Sequence, residues 1–441
     1  MGQAVVYDKK TVNGWAMYDW ANSVYSLTIT TAIFPIYYLG ITNGPDGGEQ
    51  WINFLGKEFK NVSLYSYALS FSFLVAVIIT PLLSGIADYS GKKKRFMQFF
   101  CYLGSLACIS LFFFDGMNTL TIGILGFVLA SIGYTGSIVF YNAYLPEIAP
   151  PAMQDRVSAK GFALGYIGSV LLLLVNLAMV MYPSTFGLPN ATYASRISFL
   201  MVGIWWMGFA QITFRRLPVN VFHKKPKGRY LWHGYRELRS VLRQLGGQRW
   251  LALFLVGFFF YSMALQTVMY LAPTFAEQEI KMSDSMLIGL MLIIQIVAIV
   301  GAYFFSWLSA RLGNLKALLV ALLIWSAVVV GVYFIYSVGP FMAMAFAVGF
   351  IMGGSQALSR STYSKLLPET TDHASYFSFY DVMEKMSIVL GAVTYGLVND
   401  FTGSLRNTLF ALLGYFIIGM LILFWIQRRA DKYTLEKVKP V

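Results

Sequence analysis

Charged residues are sparse along this chain and divide it into long apolar stretches. The runs 251–271 and 317–336 contain no charge, and each reaches the roughly twenty residues a helix needs to cross a bilayer. Read in the same way, the chain predicts twelve spans. Six lie at about 13–40, 64–87, 96–114, 119–145, 159–182 and 194–214. Six more lie at about 250–275, 284–307, 315–337, 340–367, 376–399 and 405–427. This predicts an all-α membrane protein of twelve transmembrane helices in two pseudo-symmetric six-helix bundles. The domains are 1–214, an N-terminal bundle, 215–249, a basic cytoplasmic linker, and 250–441, a C-terminal bundle with a short cytoplasmic tail.

Composition agrees with the pattern. The 441 residues are 57% hydrophobic and 12% charged, about half the charged share of a soluble domain. The first residues are polar through Lys9 and Lys10, and the stretch after them is too long for the h-region of a cleaved signal. Cys101 and Cys108 stand seven residues apart on one span, about 10 Å along a helix and too far for a disulfide. They are read as packing residues. His223, His233 and His373 fall in polar connections, so no intramembrane metal site and no cofactor are expected.

The net charge of +13 reports orientation rather than a nucleic-acid partner. Basic residues gather in alternate connections: Lys92, Lys93, Lys94 and Arg95; the linker; and Arg428, Arg429, Lys432, Lys437 and Lys439. The intervening loops hold few, namely Lys57, Lys60, Arg196, Lys281 and Arg406. That asymmetry places both termini and the linker in the cytoplasm, most simply across a plasma (inner) membrane. Within the linker, Trp232–Leu245 reads either as an amphipathic helix on the anionic inner leaflet or as plain solvated chain.

The two halves repeat. Leu145-Pro146-Glu147 recurs as Leu367-Pro368-Glu369, and Gly91-Lys92-Lys93-Lys94 recurs in worn form as Gly313-Asn314-Leu315-Lys316. From 147 to 369 and from 91 to 313 the offset is the same 222 residues. A duplicated half in an apolar chain is a common plan of secondary transporters, with the substrate site between the halves. Gly161, Gly165 and Gly168 on the fifth span, and Gly349, Gly353 and Gly354 on the tenth, are read as close helix contacts.

The turn Gly85-Ile86-Ala87-Asp88-Tyr89-Ser90-Gly91-Lys92-Lys93-Lys94-Arg95 joins the second and third spans. Gly85 permits close helix contact, Gly91 suits the positive φ of a reversal, and Asp88 is placed to cap a neighbouring helix. The full spacing resembles the signature loop of the major facilitator superfamily. By that resemblance Asp88 helps latch the outward-facing state from the cytoplasmic side. Ala310 stands at its equivalent, so the second half lacks this acid.

Four further blocks, in order, resemble the vacuole-effluxer-like branch of that superfamily, also called the unknown major facilitator family. They are Tyr18-Asp19-Trp20-Ala21-Asn22-Ser23; Tyr141-Asn142-Ala143-Tyr144-Leu145-Pro146-Glu147; Arg156-Val157-Ser158 leading to Gly161-Phe162-Ala163-Leu164-Gly165-Tyr166; and Gly353-Gly354-Ser355-Gln356-Ala357-Leu358-Ser359-Arg360-Ser361. The best-known members resemble vacuolar amino-acid exporters, which implies amino-acid-like efflux. Gating residues follow as Gly85, Asp88, Gly91, Lys92, Glu147, Arg156 and Glu369.

Several charges sit where a bilayer should exclude them: Asp19, Arg360, Asp381, Glu384 and Lys385. A charge at bilayer depth costs about 2.5–3.5 kcal/mol on insertion scales, so such groups face a bundle interior or a wet cavity. Asp381 and Lys385 share a helix face at i,i+4, which leaves Glu384 or Asp19 to answer Arg360. The expectation is that Arg360 engages a substrate carboxylate, while Asp19 takes an amine or a coupling proton. Asn22, Asn142, Gln266 and Gln356 are the preferred amide partners for a zwitterion. Mutually satisfied structural pairs remain the alternative for these charges.

Enzyme chemistry finds no support. No histidine lies in a span for a zinc protease or a Ser/His dyad, and no phosphate-cradling Gly-rich loop is present. The expected function is secondary active transport of a small polar or zwitterionic, amino-acid-like solute by alternating access, proton-coupled, in a monomer. Peptides, sugars or muropeptides, amphiphilic drugs, and a transport-dead sensor of the same fold are the alternatives.

Overall fold

The computed structural model describes residues 7–44, 46, 48–219 and 230–437, without the side chains of 230–234, 237, 284–285 and 430–437. The linker's His223, Lys224, Lys225, Lys227 and Arg229, and Lys439, lie outside the described residues.

Helix starts and stops follow local chemistry. α1 (Lys9–Thr42) is capped by Asp8, whose carboxylate accepts from the amides of Lys10 and Thr11. With the Thr11 hydroxyl these bonds hold its carboxyl below the ordinary carboxylate range. α2 (Asn61–Ser90) ends where Gly91 takes φ +66°, a conformation that favours glycine. α3 (Lys93–Ser110), α4 (Leu120–Asn142), α5 (Pro151–Met181) and α6 (Ala191–Arg216) complete the first half. Asn190 caps α6 through the Tyr193 amide. The second half contains α7 (Arg249–Ile280), α8 (Asp284–Leu312), α9 (Asn314–Tyr333), α10 (Val338–Leu366), α11 (His373–Thr402) and α12 (Thr408–Lys437). Gly313, the turn between α8 and α9, has φ +86°, so both copies of the turn glycine hold positive φ.

Among the described residues, eleven helices are long and apolar enough to cross a membrane. α11 has the length, at 30 residues, but Asp381, Glu384 and Lys385 keep it below that apolar threshold. The twelve long helices and the packing agree with a twelve-helix transporter fold. Packing repeats with the sequence. In the first half α1 lies on α6, α2 and α3 on α4, and α3 on α6; in the second α7 lies on α12, α8 and α9 on α10, and α9 on α12. Each of these helices is therefore partnered as its counterpart six helices on.

The chain forms two compact units. One comprises residues 8–144 and 164–235; the other comprises 1–7, 145–163 and 236–441. α5 is divided between them at Ala163 and Leu164. Its leading part, with the short helix Leu145–Ile148, packs with second-half elements.

Three features were not legible as spans. β1 (Trp51–Phe54) and β2 (Lys57–Lys60) form an antiparallel hairpin with Trp51 opposite Lys60, turning through Leu55 and Gly56 at positive φ. Within α1, residues Tyr25–Ala32 are π-helical. Thr31 donates its hydroxyl to the Ser26 carbonyl five residues back, and the β-branched run Thr28-Ile29-Thr30-Thr31 disfavours tight α winding. The third is a helix in the linker, Tyr230–Gly247, which agrees with the helical reading of Trp232–Leu245.

Candidate functional site

In the first-half unit, Asp19 is 4% exposed and its carboxylate accepts from the Tyr141 hydroxyl at 2.7 Å. Tyr141 is held in place by Trp15, whose ring stacks on it at 4.3 Å and whose indole donates to the Tyr141 carbonyl. α5 reaches this part of α1 because Gly165 and Gly168 lie against Ser23 and Trp20; an added Cβ at Gly168 would stand 2.7 Å from the Trp20 carbonyl. Asn22 is fully buried, accepts from Ser23 at 3.5 Å, and its amide nitrogen has no partner among the described residues. Asn142 is buried at the end of α4. Asn176 on α5, fully buried, has no hydrogen-bond partner for either amide atom among the described residues. No sequence pattern singled it out.

In the second-half unit the α11 charges form one cluster. Lys385 lies 3.5 Å from Asp381 and 3.0 Å from Glu384. Gln266 of α7 donates to the other Glu384 oxygen at 3.0 Å. Asp381 is 2% exposed and neither carboxylate oxygen receives a hydrogen bond, so the Lys385 ammonium is its sole counter-charge among the described residues. Two carboxylates and one ammonium leave the cluster formally at −1. Tyr380, one turn before Glu384 and stacked on Phe258 at 4.2 Å, lies within electrostatic range of both Glu384 and Arg360. It was not among the sequence candidates.

Arg360 on α10 is 3% exposed. Its guanidinium donates through Nε to the Ser158 hydroxyl at 2.9 Å and through Nη2 to the Ser158 carbonyl at 2.8 Å. It also lies 4.2 Å over the Phe162 ring. Ser158 in turn donates to the Ala357 carbonyl. The planar fork thus spans a backbone and a side-chain oxygen of α5. Gln356 is partly buried on the same helix.

The candidate gating residues separate. Asp88 is buried at the end of α2, beside Gly91, and Gly85 is buried one turn earlier. Beyond Lys92, Lys94 donates to the Leu217 carbonyl at 2.9 Å. Glu147, its side chain 1% exposed, pairs with His373 at 2.9 Å. Its repeat partner Glu369 is exposed, as is Arg156. The neighbour of Arg156 has the denser contacts. Asp155 accepts from Lys365 at 2.7 Å, Ser309 at 2.8 Å and Asn314 at 2.7 Å. Asn314 also donates to Thr362 and accepts from Lys365. Asp155 therefore fastens the start of α5 to the α8–α9 turn and to the end of α10. The worn loop copy carried the signal, since Asn314 replaces the Lys92 of the first half.

Hydrogen bonds to a charged group contribute about 1.5–3 kcal/mol each, discounted here because the Lys365 side chain is 23% exposed. Asp155→Ala is expected to lower unfolding free energy by about 2–3 kcal/mol, read by thermal unfolding of the purified protein. A cycle with Lys365→Met should return a coupling of about 1–2 kcal/mol; simple additivity would show that the pair does not act as a fastening.

Comparison with known proteins bears on the fold and the family. Residues 7–435 match the family model described as vacuole effluxer Atg22 like. An MFS-type transporter of Bacillus subtilis, YxiO, is 29% identical over 424 residues, covering 96% of each chain. Autophagy-related protein 22 of Yarrowia lipolytica is 25% identical over 484 residues, covering 88% of this chain and 80% of that protein. The solved E. coli fucose:proton symporter FucP superposes with a TM-score of 0.65 at 14% identity, over 95% of this chain and 97% of that one. The proton:xylose symporter XylE does so with 0.68 at 12%, over 95% and 94%. The fold is that of major facilitator transporters and not of an enzyme, and the chain belongs to the vacuole effluxer Atg22-like family.

Proposed function

We propose that the protein carries a small zwitterionic, amino-acid-like solute by alternating access, driven by protons, with its basic turns and linker on the cytoplasmic side of the plasma membrane. The observation that supports this most is the α11 cluster. Burying charge at bilayer depth is costly enough that it persists where it serves a pathway. A cluster formally at −1 has room for one added positive charge. The Asp381 oxygens, which accept no hydrogen bond, suit a proton or a substrate amine. Arg360 presents the donor geometry that matches a carboxylate bidentately. A bound carboxylate would take the place of Ser158 on that fork. Asp19, held by Tyr141, is the second candidate for the coupling proton.

The test is uptake into proteoliposomes of labelled neutral amino acids, with and without an inward proton gradient. Wild type should respond to the gradient, and Asp381→Asn and Arg360→Lys should each lose about tenfold or more, the scale of one lost charge-assisted contact. Gradient-driven uptake at full rate in both variants would overturn the assignment of the site. Uptake of sugars or peptides in place of amino acids would overturn the substrate class.

A further inference from the structure

Six arginines occupy exposed positions on the linker helix and on the adjoining ends of α7 and α12: Arg236, Arg239, Arg243, Arg249, Arg428 and Arg429. No carboxylate among the described residues pairs with any of them. On the linker helix, Val241 and Leu245 are buried one turn apart, and the Gln244 carboxamide accepts from Tyr376 of α11 at 3.2 Å. That fixes the helix against the second-half unit by one face. At 100° per residue, Arg236, Arg239 and Arg243 fall on the opposite face. Leu242, 56% exposed, lies on the shoulder between the two.

Where the linker runs into α7, the arginines converge. The Arg249 guanidinium stands 5.1 Å over the Trp425 ring, and Arg429 stands 5.9 Å from the same ring. Arg428 lies 4.6 Å over the neighbouring Phe424. Trp250 packs on Trp425 at 5.9 Å. Like charges gathered on one tryptophan repel one another. They are stabilised by an anion held among them, and guanidinium forks match the oxygens of a phosphodiester.

We propose that this surface binds anionic phospholipid headgroups of the inner leaflet, with the linker helix lying along the headgroup plane. The assignment is independent of what the protein carries. Charge complementarity identifies the occupant. Six cations with no carboxylate partner among the described residues meet a negatively charged leaflet, each contributing through the surface potential. The surroundings are those of an interface: Trp425 and Phe424 are partly open at 36% and 44%, and Leu421 is open at 61%. Tryptophan is enriched at that depth, and exposed apolar area beside it is lipid-facing.

The experiment uses the full-length protein released from vesicles containing equal parts phosphatidylglycerol and phosphatidylcholine. Retained lipid is counted by native mass spectrometry. Wild type should retain phosphatidylglycerol in preference. The triple variant Arg249→Gln/Arg428→Gln/Arg429→Gln should lose that preference by about tenfold, a conservative reading of three surface charges, while Lys57→Gln on the β1–β2 hairpin should keep it. Equal retention of the two lipids by wild type, or an undiminished preference in the triple variant, would overturn the proposal. A third arm adds inorganic phosphate at millimolar concentration. Displacement of the lipid by phosphate alone would show a simple anion site and overturn the lipid assignment.

Discussion

Lys385→Met is expected to be the most destabilising single change in the second-half unit. Methionine fills nearly the same volume, so packing of α11 is largely kept and the effect isolates the charge. Lys385 is the sole cation within ion-pair distance of Asp381 among the described residues and lies 3.0 Å from Glu384. Without it the buried Asp381 carboxylate, which receives no hydrogen bond among the described residues, faces the partly exposed carboxylate of Glu384 one turn on. Removing one partner of a buried pair costs about 3–5 kcal/mol, because the charge left behind is neither solvated nor paired. The loss should appear as a large fall in thermal stability and in the yield of folded protein. The double variant Asp381→Asn/Lys385→Met should recover much of it, since a neutral amide needs no counter-charge. If the single variant unfolds at the wild-type temperature, the cluster is solvated and the pairing argument fails.

Gly301→Val should damage folding by a different route. At Gly301 of α8 an added Cβ would fall on the carbonyl oxygen of Phe350, and at Gly353 of α10 it would fall on that of Ala298. The two helices meet backbone to backbone. Neither obstacle is a flexible side-chain tip, so the helices must separate, and the contacts along the crossing weaken together. In a bilayer such contact is itself much of what holds helices together, and overpacking costs about 1–3 kcal/mol or more. Gly396 on α11, which meets nothing within 4 Å, provides the control: Gly396→Val should be tolerated. Equal melting temperatures for the two variants would show that the α8–α10 crossing is loose.

Features that depend on local spacing were readable from the chain. Span length, the reversal at Gly91, the glycines of α10 and the i,i+4 contact of Asp381 with Lys385 each need only a few neighbouring residues. The contacts that organise the start of α5 do not. Asp155 meets Lys365 across 210 positions, and Glu147 meets His373 across 226. Periodicity holds no record of such pairings, and the Arg156-Val157-Ser158 block points to Arg156 rather than to Asp155. His373 looked like a loop residue for the same reason. Asn176 and Tyr380 were passed over because an amide or a phenol inside an apolar run is usually satisfied by a neighbouring helix. Only coordinates show whether the partner is there. The hairpin β1–β2 is short and its turn is Leu-Gly, outside the usual Asn-Gly and Asp-Gly signals.

The π-helical stretch of α1 has a bearing on how relatives of this chain are aligned. Winding there is looser than in the flanking turns, so the azimuth of every side chain after Ala32 is displaced relative to a wheel drawn from Asp19. A homologue with one residue fewer between Val24 and Ile33 would tighten this stretch toward α geometry and rotate one end of α1 against the other, leaving sequence identity almost untouched. For this helix, a single-residue gap is a change of phase rather than of length.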